Sequence, residues 1–284
     1  MVRKIILALV AVVVAMAASA PLKADDKKPP ARSGWEGFYI GGNFGYGRSR
    51  ATMSESDTIW YPVPQGPAFF KPTTLHEGAS GALGGLHLGY NWQVAPRFLL
   101  GVEGDWTWAN LNAGNTVGPV IEYDGTVAVG STVTMSTQVK SFGSLRGRVG
   151  ITEPNWMAYV TGGPALAQLQ FDGDFFCPIG VCVGAGDTHA PVSVTKNRFG
   201  WVVGGGLEFK GATSPWVFGV EYLYYRFSGT ENVDASLVRT SSGAPVAAGF
   251  CTVSMKCFHY AFGDVDVQTV RARLSYKFEG LFSR

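Results

Sequence analysis

The chain has 284 residues, of which 46% are hydrophobic, 13% aromatic and 15% charged, with a formal net charge of +2. This apolar and aromatic composition excludes an intrinsically disordered chain. An average soluble domain carries roughly 25% charged residues, so the low share here favours a surface that need not face water. The near balance of acidic and basic residues gives no indication of a nucleic-acid partner.

The N-terminus has the layout of a secretory signal peptide. Arg3 and Lys4 precede an apolar run over residues 5–18, which is shorter than the roughly 20 residues of a membrane-spanning helix and ends in small residues. The signal is expected to cover residues 1–20, with cleavage as late as Ala24 as the alternative. The rest of the chain is expected to divide into a flexible leader at 21–34, a barrel domain at 35–278 and a short tail at 279–284.

Beyond the leader, apolar residues recur at every second position, which is the period of a β-strand rather than of a helix. In the fifth of eight such segments, Gly162, Gly163 and Pro164 blur the alternation, so its facing stays open. Strands of about ten residues have the length that crosses a bilayer at a tilt. The eight segments lie near residues 38–46, 85–93, 100–108, 144–151, 156–168, 199–209, 216–225 and 269–278.

The lengths of the connections predict the topology. Short, turn-like connections follow the second, fourth and sixth segments, whereas long loops follow the other segments. This arrangement predicts an all-β, eight-stranded antiparallel up-and-down transmembrane barrel of a bacterial outer membrane, with both termini in the periplasm. The predicted long loops cover about residues 48–82, 110–138, 170–197 and 227–265.

Aromatic residues recur near both ends of the apolar faces, as expected of rings that meet the lipid headgroups. The alternative, a secreted β-domain with one buried and one wet face, is disfavoured because the polar faces here combine glycine with ionisable groups. The belt at the end of the short turns comprises Phe38, Trp92, Phe98, Phe209, Trp216 and Phe278, the opposite belt comprises Tyr46, Trp106, Trp108, Phe199, Trp201, Tyr222 and Tyr224, and Tyr276 is also assigned to the belts.

The polar faces should fill the inside of the barrel, because eight strands enclose a lumen just wide enough for side chains. Buried charges are costly unless they are paired, so an ion-pair network is expected. We predict that Glu103 or Asp105 pairs with Arg146 or Arg148, and that Glu221 pairs with Arg271 or Arg273. A narrow, water-filled passage lined by Arg146 and Arg148 is the alternative. The inward-facing ionisable residues are Glu103, Asp105, Glu208, Glu221, Arg146, Arg148, Arg271, Arg273, Lys277 and His87.

All four cysteines fall in two predicted loops: Cys177 and Cys182 in the third, Cys251 and Cys257 in the fourth. Export to an oxidising compartment favours disulfides over a metal site. Pairing within each loop is favoured over pairing between loops, because local closure requires no docking of one loop on another.

No motif of an enzyme class stands out, and no catalytic residue, cofactor or metal site is predicted. Of the four histidines, only His87 faces the predicted lumen, while His76, His189 and His259 fall in predicted loops. Loop histidines and aromatic residues could bind a ligand such as haem, although they could equally pack the loops or meet lipopolysaccharide. The loop aromatic residues considered are Trp60, Tyr61, Phe69 and Phe70.

Four motifs resemble the small outer-membrane immunogenic proteins of alphaproteobacteria, a branch of the OmpA-like barrels, which also include porin-like proteins. They are the opening WEGFYIGG at 35–42, GWVVGGGLE at 200–208, Glu221 with Tyr222, and the closing TVRARLSYKF at 269–278. Two features depart from that pattern: residues 279–284 follow the last strand, and the four loop cysteines are additional.

The resemblance implies an outer-membrane barrel that is assembled by the outer-membrane insertion machinery and acts as a surface antigen without enzymatic activity. We therefore expect a structural protein that contributes to envelope integrity, with membrane lipids and lipopolysaccharide as partners. Two other classes stay open: a narrow channel for small solutes, and a receptor or adhesin that binds haem or a host ligand through its loops.

Overall fold

A computed structural model describes residues 34–57, 71–121, 127–179, 187–246 and 258–278. Within these ranges, no helix has the length and hydropathy needed to cross a membrane. The predicted signal peptide, the leader before residue 34 and the tail at 279–284 lie outside the described residues and stay predictions. In chain order the strands are β1 (Gly37–Asp57), β2 (Thr73–Ala95), β3 (Phe98–Val117), β4 (Val120–Ile121), β5 (Val127–Ala128), β6 (Thr132–Thr152), β7 (Trp156–Cys177), β8 (Thr188–His189), β9 (Val192–Lys210), β10 (Trp216–Phe227), β11 (Glu231–Ala235), β12 (Val238–Arg239) and β13 (Phe258–Lys277).

Eight long strands close into a ring. They pair antiparallel in the order β1, β2, β3, β6, β7, β9, β10 and β13, and β13 pairs again with β1. Tight turns at 96–97, 153–155 and 211–215 join the strand pairs at one end. The predicted fold class, an eight-stranded antiparallel up-and-down barrel, is confirmed.

The strands are much longer than the sequence periodicity predicted. β2 has 23 residues, and a strand of that length, at a rise of about 3.3 Å per residue and a tilt of about 45°, spans roughly 54 Å, twice the ~25 Å apolar band of such barrels. Much of each predicted loop is therefore strand. His76, His189 and His259 lie in β2, β8 and β13 and not in loops, which corrects the prediction.

The structure settles the facing of β7, the fifth long strand. Tyr159 and Thr161 are buried in the lumen, whereas Trp156 and Pro164 are exposed on the outer surface. Inward and outward side chains keep alternating through Gly162 and Gly163, and the pairing of β7 with β9 shows no register shift there.

The wall of the barrel reverses its polarity along its length. Between the two aromatic belts, which we call the girdle zone, the outer surface is apolar: Ile40 and Phe44 are 45% and 68% exposed. Beyond the belt that contains Tyr46, in what we call the distal zone, the apolar side chains turn inward. Met53 is fully buried there, whereas Arg50 on the same strand is exposed.

Two β-bulges help to produce this reversal. In β6, Lys140 is an extra residue relative to β7, because Val139 pairs with Leu169 while Ser141 pairs with Gln168. A single inserted residue moves the following side chains to the other face of a strand. Odd-numbered residues therefore face inward below position 140 of β6, and even-numbered residues such as Arg146 do so above it. The pairing of β13 with β1 shifts in the same way near residue 263.

Deletion of Lys140 should prevent folding. Without the extra residue, one half of β6 must present its inward side chains to the outside, either the apolar residues of the distal zone or Arg146 and Arg148. Refolding into detergent followed by gel electrophoresis without boiling should give no compact, fast-migrating band. Lys140→Ala is the matched control, because it keeps the extra residue and should fold normally. A deletion variant that folds as well as this control would contradict the assignment.

The inside of the distal zone is filled mainly by hydrophobic side chains, and Arg198 packs on one of their rings, Phe171. Phe171 packs on Phe262 with ring centroids 5.0 Å apart, and Phe175 stacks on Phe258 at 4.6 Å. The sequence analysis did not predict this core. Its largest buried members are Met53, Leu111, Met135, Phe142, Leu169, Phe171, Phe175, Tyr225, Phe227, Phe258, Tyr260 and Phe262.

Candidate functional site

A layer of ionisable side chains fills the lumen inside the girdle zone. Each faces inward because it occupies an alternate position of a strand whose other face carries the apolar surface. The layer contains four carboxylates and four guanidinium groups, and all eight side chains are almost completely shielded from solvent. Its members are Glu103 and Asp105 of β3, Arg146 and Arg148 of β6, Glu208 of β9, Glu221 of β10, and Arg271 and Arg273 of β13.

Glu103 is the centre of this layer. Its carboxylate accepts hydrogen bonds from Arg146 and Arg273, and Arg148 Nη1 lies 3.3 Å from Oε2. The Tyr39 hydroxyl donates to the same Oε2 at 2.7 Å. One carboxylate thus interacts with three guanidinium groups that come from two different strands.

Glu221 has a similar position on the other side of the lumen. Its Oε1 lies 3.0 Å from Arg146 Nη1 and 2.7 Å from Arg273 Nη1, and it accepts a hydrogen bond of 2.9 Å from the Tyr159 hydroxyl. Because Arg146 and Arg273 each contact both Glu103 and Glu221, the four residues form one connected cluster across the lumen.

The remaining two carboxylates each hold one further arginine. Arg148 Nη2 lies 2.6 Å from Glu208 Oε1, and Arg271 Nη1 lies 3.0 Å from Asp105 Oδ2. Asp105 also accepts from the Ser144 hydroxyl. Every carboxylate of the layer is therefore in contact with at least one guanidinium group.

The sequence hypothesis named pairs between particular residues, and the structure brings most of them together. Glu103 contacts both Arg146 and Arg148, and Glu221 contacts Arg273. Arg271 differs: although it lies opposite Glu221 in the strand register, its guanidinium pairs with Asp105.

Three buried tyrosines complete the layer and were missed by the sequence analysis. Tyr39 accepts from Arg148 at 2.5 Å, and Tyr225 accepts from Arg271 at 2.8 Å. The Arg148 guanidinium also stacks 3.8 Å from the ring centroid of Tyr159. The signal was present: the alternation puts Tyr39 and Tyr225 on the polar faces of their strands, but only acidic and basic side chains were included in the predicted network. Tyr159 lies in the fifth segment, whose facing had stayed open.

The turn end of the lumen is closed by residues near the start of the barrel. Trp35 is buried, and its indole Nε1 donates to the backbone carbonyl of Glu153 at 2.7 Å. Lys210 and Lys277 both donate to the carbonyl of Gly34. Lys277 was predicted to face the lumen, and it does so at the turn end, away from the eight-residue layer. A cavity of only about 10 Å³ lies beside Trp35, at the lower limit for one water molecule.

The histidines form separate local pairs. His87 is buried in the lumen, where its Nε2 lies 2.8 Å from the Ser275 hydroxyl. In the distal zone, His259 Nδ1 lies 2.7 Å from Asp234, and His189 Nδ1 lies 3.5 Å from Asp174, whose pKa is raised by burial. In the described ranges, no group of three or more His, Cys, Asp or Glu side chains is placed to hold a metal ion.

The predicted belt residues all lie on the outer surface. Those at the turn end include Trp92, Phe98, Phe209, Trp216 and Tyr276, all at least 37% exposed. Phe278 is half-buried beside Phe38, with ring centroids 5.6 Å apart. At the other end, Trp106, Trp108 and Trp201 are exposed, and Tyr222 and Tyr224 are half-buried.

Few of the predicted loop features can be compared with the structure. Cys177 ends β7, is fully buried and carries no free thiol. The other three cysteines, Cys182, Cys251 and Cys257, lie outside the described residues, so their connectivity stays a prediction. The loop aromatic residues Trp60, Tyr61, Phe69 and Phe70 also lie outside them.

The family model and the relatives that match this chain agree with this architecture. A family model described as outer membrane protein beta-barrel domain matches residues 5–278. The 31 kDa outer-membrane immunogenic proteins of Brucella melitensis and Brucella suis are each 29% identical over 222 residues, which cover 76% of this chain and 80% of the relative. Two solved structures also match. Ail of Yersinia pestis has a TM-score of 0.33 and 13% identity, and the match covers 86% of this chain and 99% of Ail. OprG of Pseudomonas aeruginosa has a TM-score of 0.36 and 10% identity, and the match covers 87% of this chain and 100% of OprG.

Proposed function

Because this chain belongs to the outer membrane protein β-barrel family, we propose that it is a closed, structural barrel of the Gram-negative outer membrane that contributes to envelope integrity. It places its distal zone outside the cell as a surface antigen and has no catalytic activity. Both termini face the periplasm, and the outer-membrane insertion machinery assembles the chain after its signal peptide is removed.

The observation that carries this proposal is the filling of the lumen by two layers of different chemistry. Any passage through the barrel would have to cross the layer around Glu103 and then the hydrophobic core around Phe171 and Phe262. An ion entering the first layer would have to displace a charge partner, which is costly because the layer is buried. Entry into the second layer would require leaving water for a mainly apolar environment, in which Glu55 and Arg198 are the buried charged residues.

The alternative, a narrow channel for small solutes, rests on Arg146 and Arg148 as lining residues. Both guanidinium groups are already occupied by carboxylates, at 3.0 Å for Arg146 with Glu221 and 2.6 Å for Arg148 with Glu208. A selectivity filter needs charges that exchange partners with the permeating ion. Because both arginines are held in ion pairs with fixed carboxylates, a structural role is favoured for them.

Planar-bilayer recording of the purified, folded protein tests the proposal. We expect no steady unitary conductance, for the unchanged chain or for Arg148→Ala, because the distal core closes the lumen even if the charged layer loosens. A porin reconstituted in the same bilayers shows that insertion and recording work. Reproducible current steps that change in size in Arg148→Ala would contradict the proposal and support the channel.

A further inference from the structure

One side of the barrel has an ordered outer surface. On β1, β13 and β10, outward-facing residues lie opposite one another in rows, about 7 Å apart along the strands. Beyond the first row, which belongs to the turn-end belt, successive rows change from apolar to aromatic to charged in the direction of the distal zone. From the turn end the rows are Ile40, Tyr276 and Trp216; Gly42, Leu274 and Phe218; Phe44, Ala272 and Val220; Tyr46, Val270 and Tyr222; Arg48, Gln268 and Tyr224; and Arg50, Asp266 and Arg226.

The apolar rows contain a groove of about 670 Å³. Its floor is low because Gly42 and Ala272 carry little or no side chain, while Phe44 and Phe218 stand 68% and 61% exposed beside them. A Cβ atom added at Gly42 would lie 3.7 Å from the nearest atom, so the groove has free space above the backbone. Its dimensions and lining are suited to a hydrocarbon chain.

The charged rows border a pocket of about 530 Å³ just beyond the aromatic belt. Arg48 and Arg50 are exposed there, and neither forms an ion pair with a carboxylate of the described residues. His76 of β2 adds a third group able to donate hydrogen bonds. The pocket thus presents two guanidinium groups without a carboxylate at ion-pair distance, although three carboxylates also line it: Glu77, Asp264 and Asp266.

The carboxylates around this pocket already have partners. Asp264 lies 2.5 Å from Arg226, and the backbone N–H of Gly229, with this arginine, holds the pKa of Asp264 below its usual range. Asp266 accepts from the Tyr224 hydroxyl at 2.9 Å. Glu77 accepts from Asn115 at 3.1 Å. These contacts leave Arg48 and Arg50 available for a bound anion.

Between the groove and the pocket lie tyrosine hydroxyl groups that suit an interface of lipid and water. Tyr46 donates to Ser80 at 3.0 Å, and Tyr222 donates to Gln268 at 3.2 Å. The groove, the tyrosines and the two arginines all lie on the face formed by β1, β10 and β13.

We propose that this face binds one lipopolysaccharide molecule through its lipid A part, with an acyl chain in the groove and phosphate groups on Arg48 and Arg50. Charge complementarity and the order of the rows support this occupant, since a phosphorylated lipid has the same order of chains, sugar backbone and phosphates. Guanidinium groups bind phosphate well, because two parallel N–H donors match two oxygens. The assignment rests on the proposed function, which places the distal zone outside the cell and therefore the aromatic belt of Tyr46 at the outer face of the membrane.

Native mass spectrometry of the folded protein in detergent, titrated with rough lipopolysaccharide that carries lipid A and two Kdo sugars, tests the proposal. We expect one tightly bound copy, and affinity about tenfold lower for the double variant Arg48→Ala/Arg50→Ala, which loses charge-assisted hydrogen bonds. Gly42→Leu should also weaken binding because it fills the groove. Dephosphorylated lipid A should bind the unchanged chain about as weakly as intact lipid binds the arginine variant.

Matched controls on another face are two variants of β6: Lys140→Ala, which removes a cation, and Gly147→Leu, where an added Cβ meets nothing closer than 4.0 Å. Neither should alter lipid binding. Equal lipid binding by all four variants would overturn the assignment. A change of oligomeric state in Gly42→Leu without loss of lipid binding would also overturn it, because that result would identify the groove as a contact between copies of the chain. The conductance measurement above is independent, so failure of the lipid site is distinguishable from failure of the proposed function.

Discussion

Replacement of Glu103 by alanine should destabilise the barrel by about 3–5 kcal/mol, because it leaves three buried guanidinium groups without their central partner. Arg146, Arg148 and Arg273 all contact this carboxylate. The other nearby carboxylates, Glu208 and Glu221, already pair with these same arginines and cannot replace it. Urea unfolding in detergent, followed by loss of the fast-migrating band on unboiled gels, gives the midpoint. We expect a large fall in that midpoint or failure to fold.

The matched control is Glu153→Ala. Glu153 also pairs with an arginine, since its Oε1 lies 3.4 Å from Arg97 Nε, but this pair is at the surface of a turn. Exposed ion pairs contribute roughly 0–1 kcal/mol, so the control should unfold within experimental error of the unchanged chain. Similar effects of the two variants would show that the layer around Glu103 is not a buried network.

Phe262→Ala should have the second large effect. The Phe262 ring is completely buried in the distal core and packs with its centroid 5.0 Å from that of Phe171. Removal of a buried phenylalanine side chain costs about 3–5 kcal/mol. The same urea experiment should show this loss, and an apolar dye should bind the variant at lower urea concentrations than it binds the unchanged chain.

Phe199→Ala is the comparison for the second prediction. Phe199 is 79% exposed on the outside of β9, so its loss opens no cavity and should lower stability clearly less than Phe262→Ala does. If the two phenylalanine variants unfold together, the distal lumen is not a packed core, and the argument for two closing layers fails.

The girdle zone could be predicted from the sequence because a strand with lipid on one side and charges on the other alternates without ambiguity. As this alternation predicts, Phe44 and Trp108 face outward, whereas Glu103 and Arg146 face inward. Neighbouring charges on adjacent strands, such as Glu103 and Arg146, are paired by the register alone. The family resemblance pointed to the same architecture from different residues.

The distal zone could not be predicted in the same way. Its strands alternate with the same period, but apolar residues such as Met53 and Phe262 turn inward, and bulges at Lys140 and near residue 263 interrupt the phase. The sequence prediction expected apolar residues of a strand to face lipid, and it therefore assigned these segments to loops. The bulges cannot be recognised without the partner strands that define the register.

Contacts across the lumen are the other feature that sequence reasoning did not reach. The pairing of Arg271 with Asp105, and of Arg146 with Glu221, joins strands that are not neighbours in the ring. Such contacts depend on the stagger and tilt with which eight strands close. Strand order and alternation identify which residues face inward, but not which of them meet.

The central claim is that the wall of this barrel reverses its polarity just beyond Tyr46, and an accessibility profile along β1 tests it most directly. Single nitroxide labels at Phe44, Arg50 and Met53, in protein reconstituted into lipid, report collisions with oxygen or with a water-soluble nickel complex. We predict that the label at 44 responds to oxygen, that at 50 to nickel, and that at 53 to neither. A label at 50 that behaves like the one at 44, or a label at 53 that nickel reaches freely, would contradict the account.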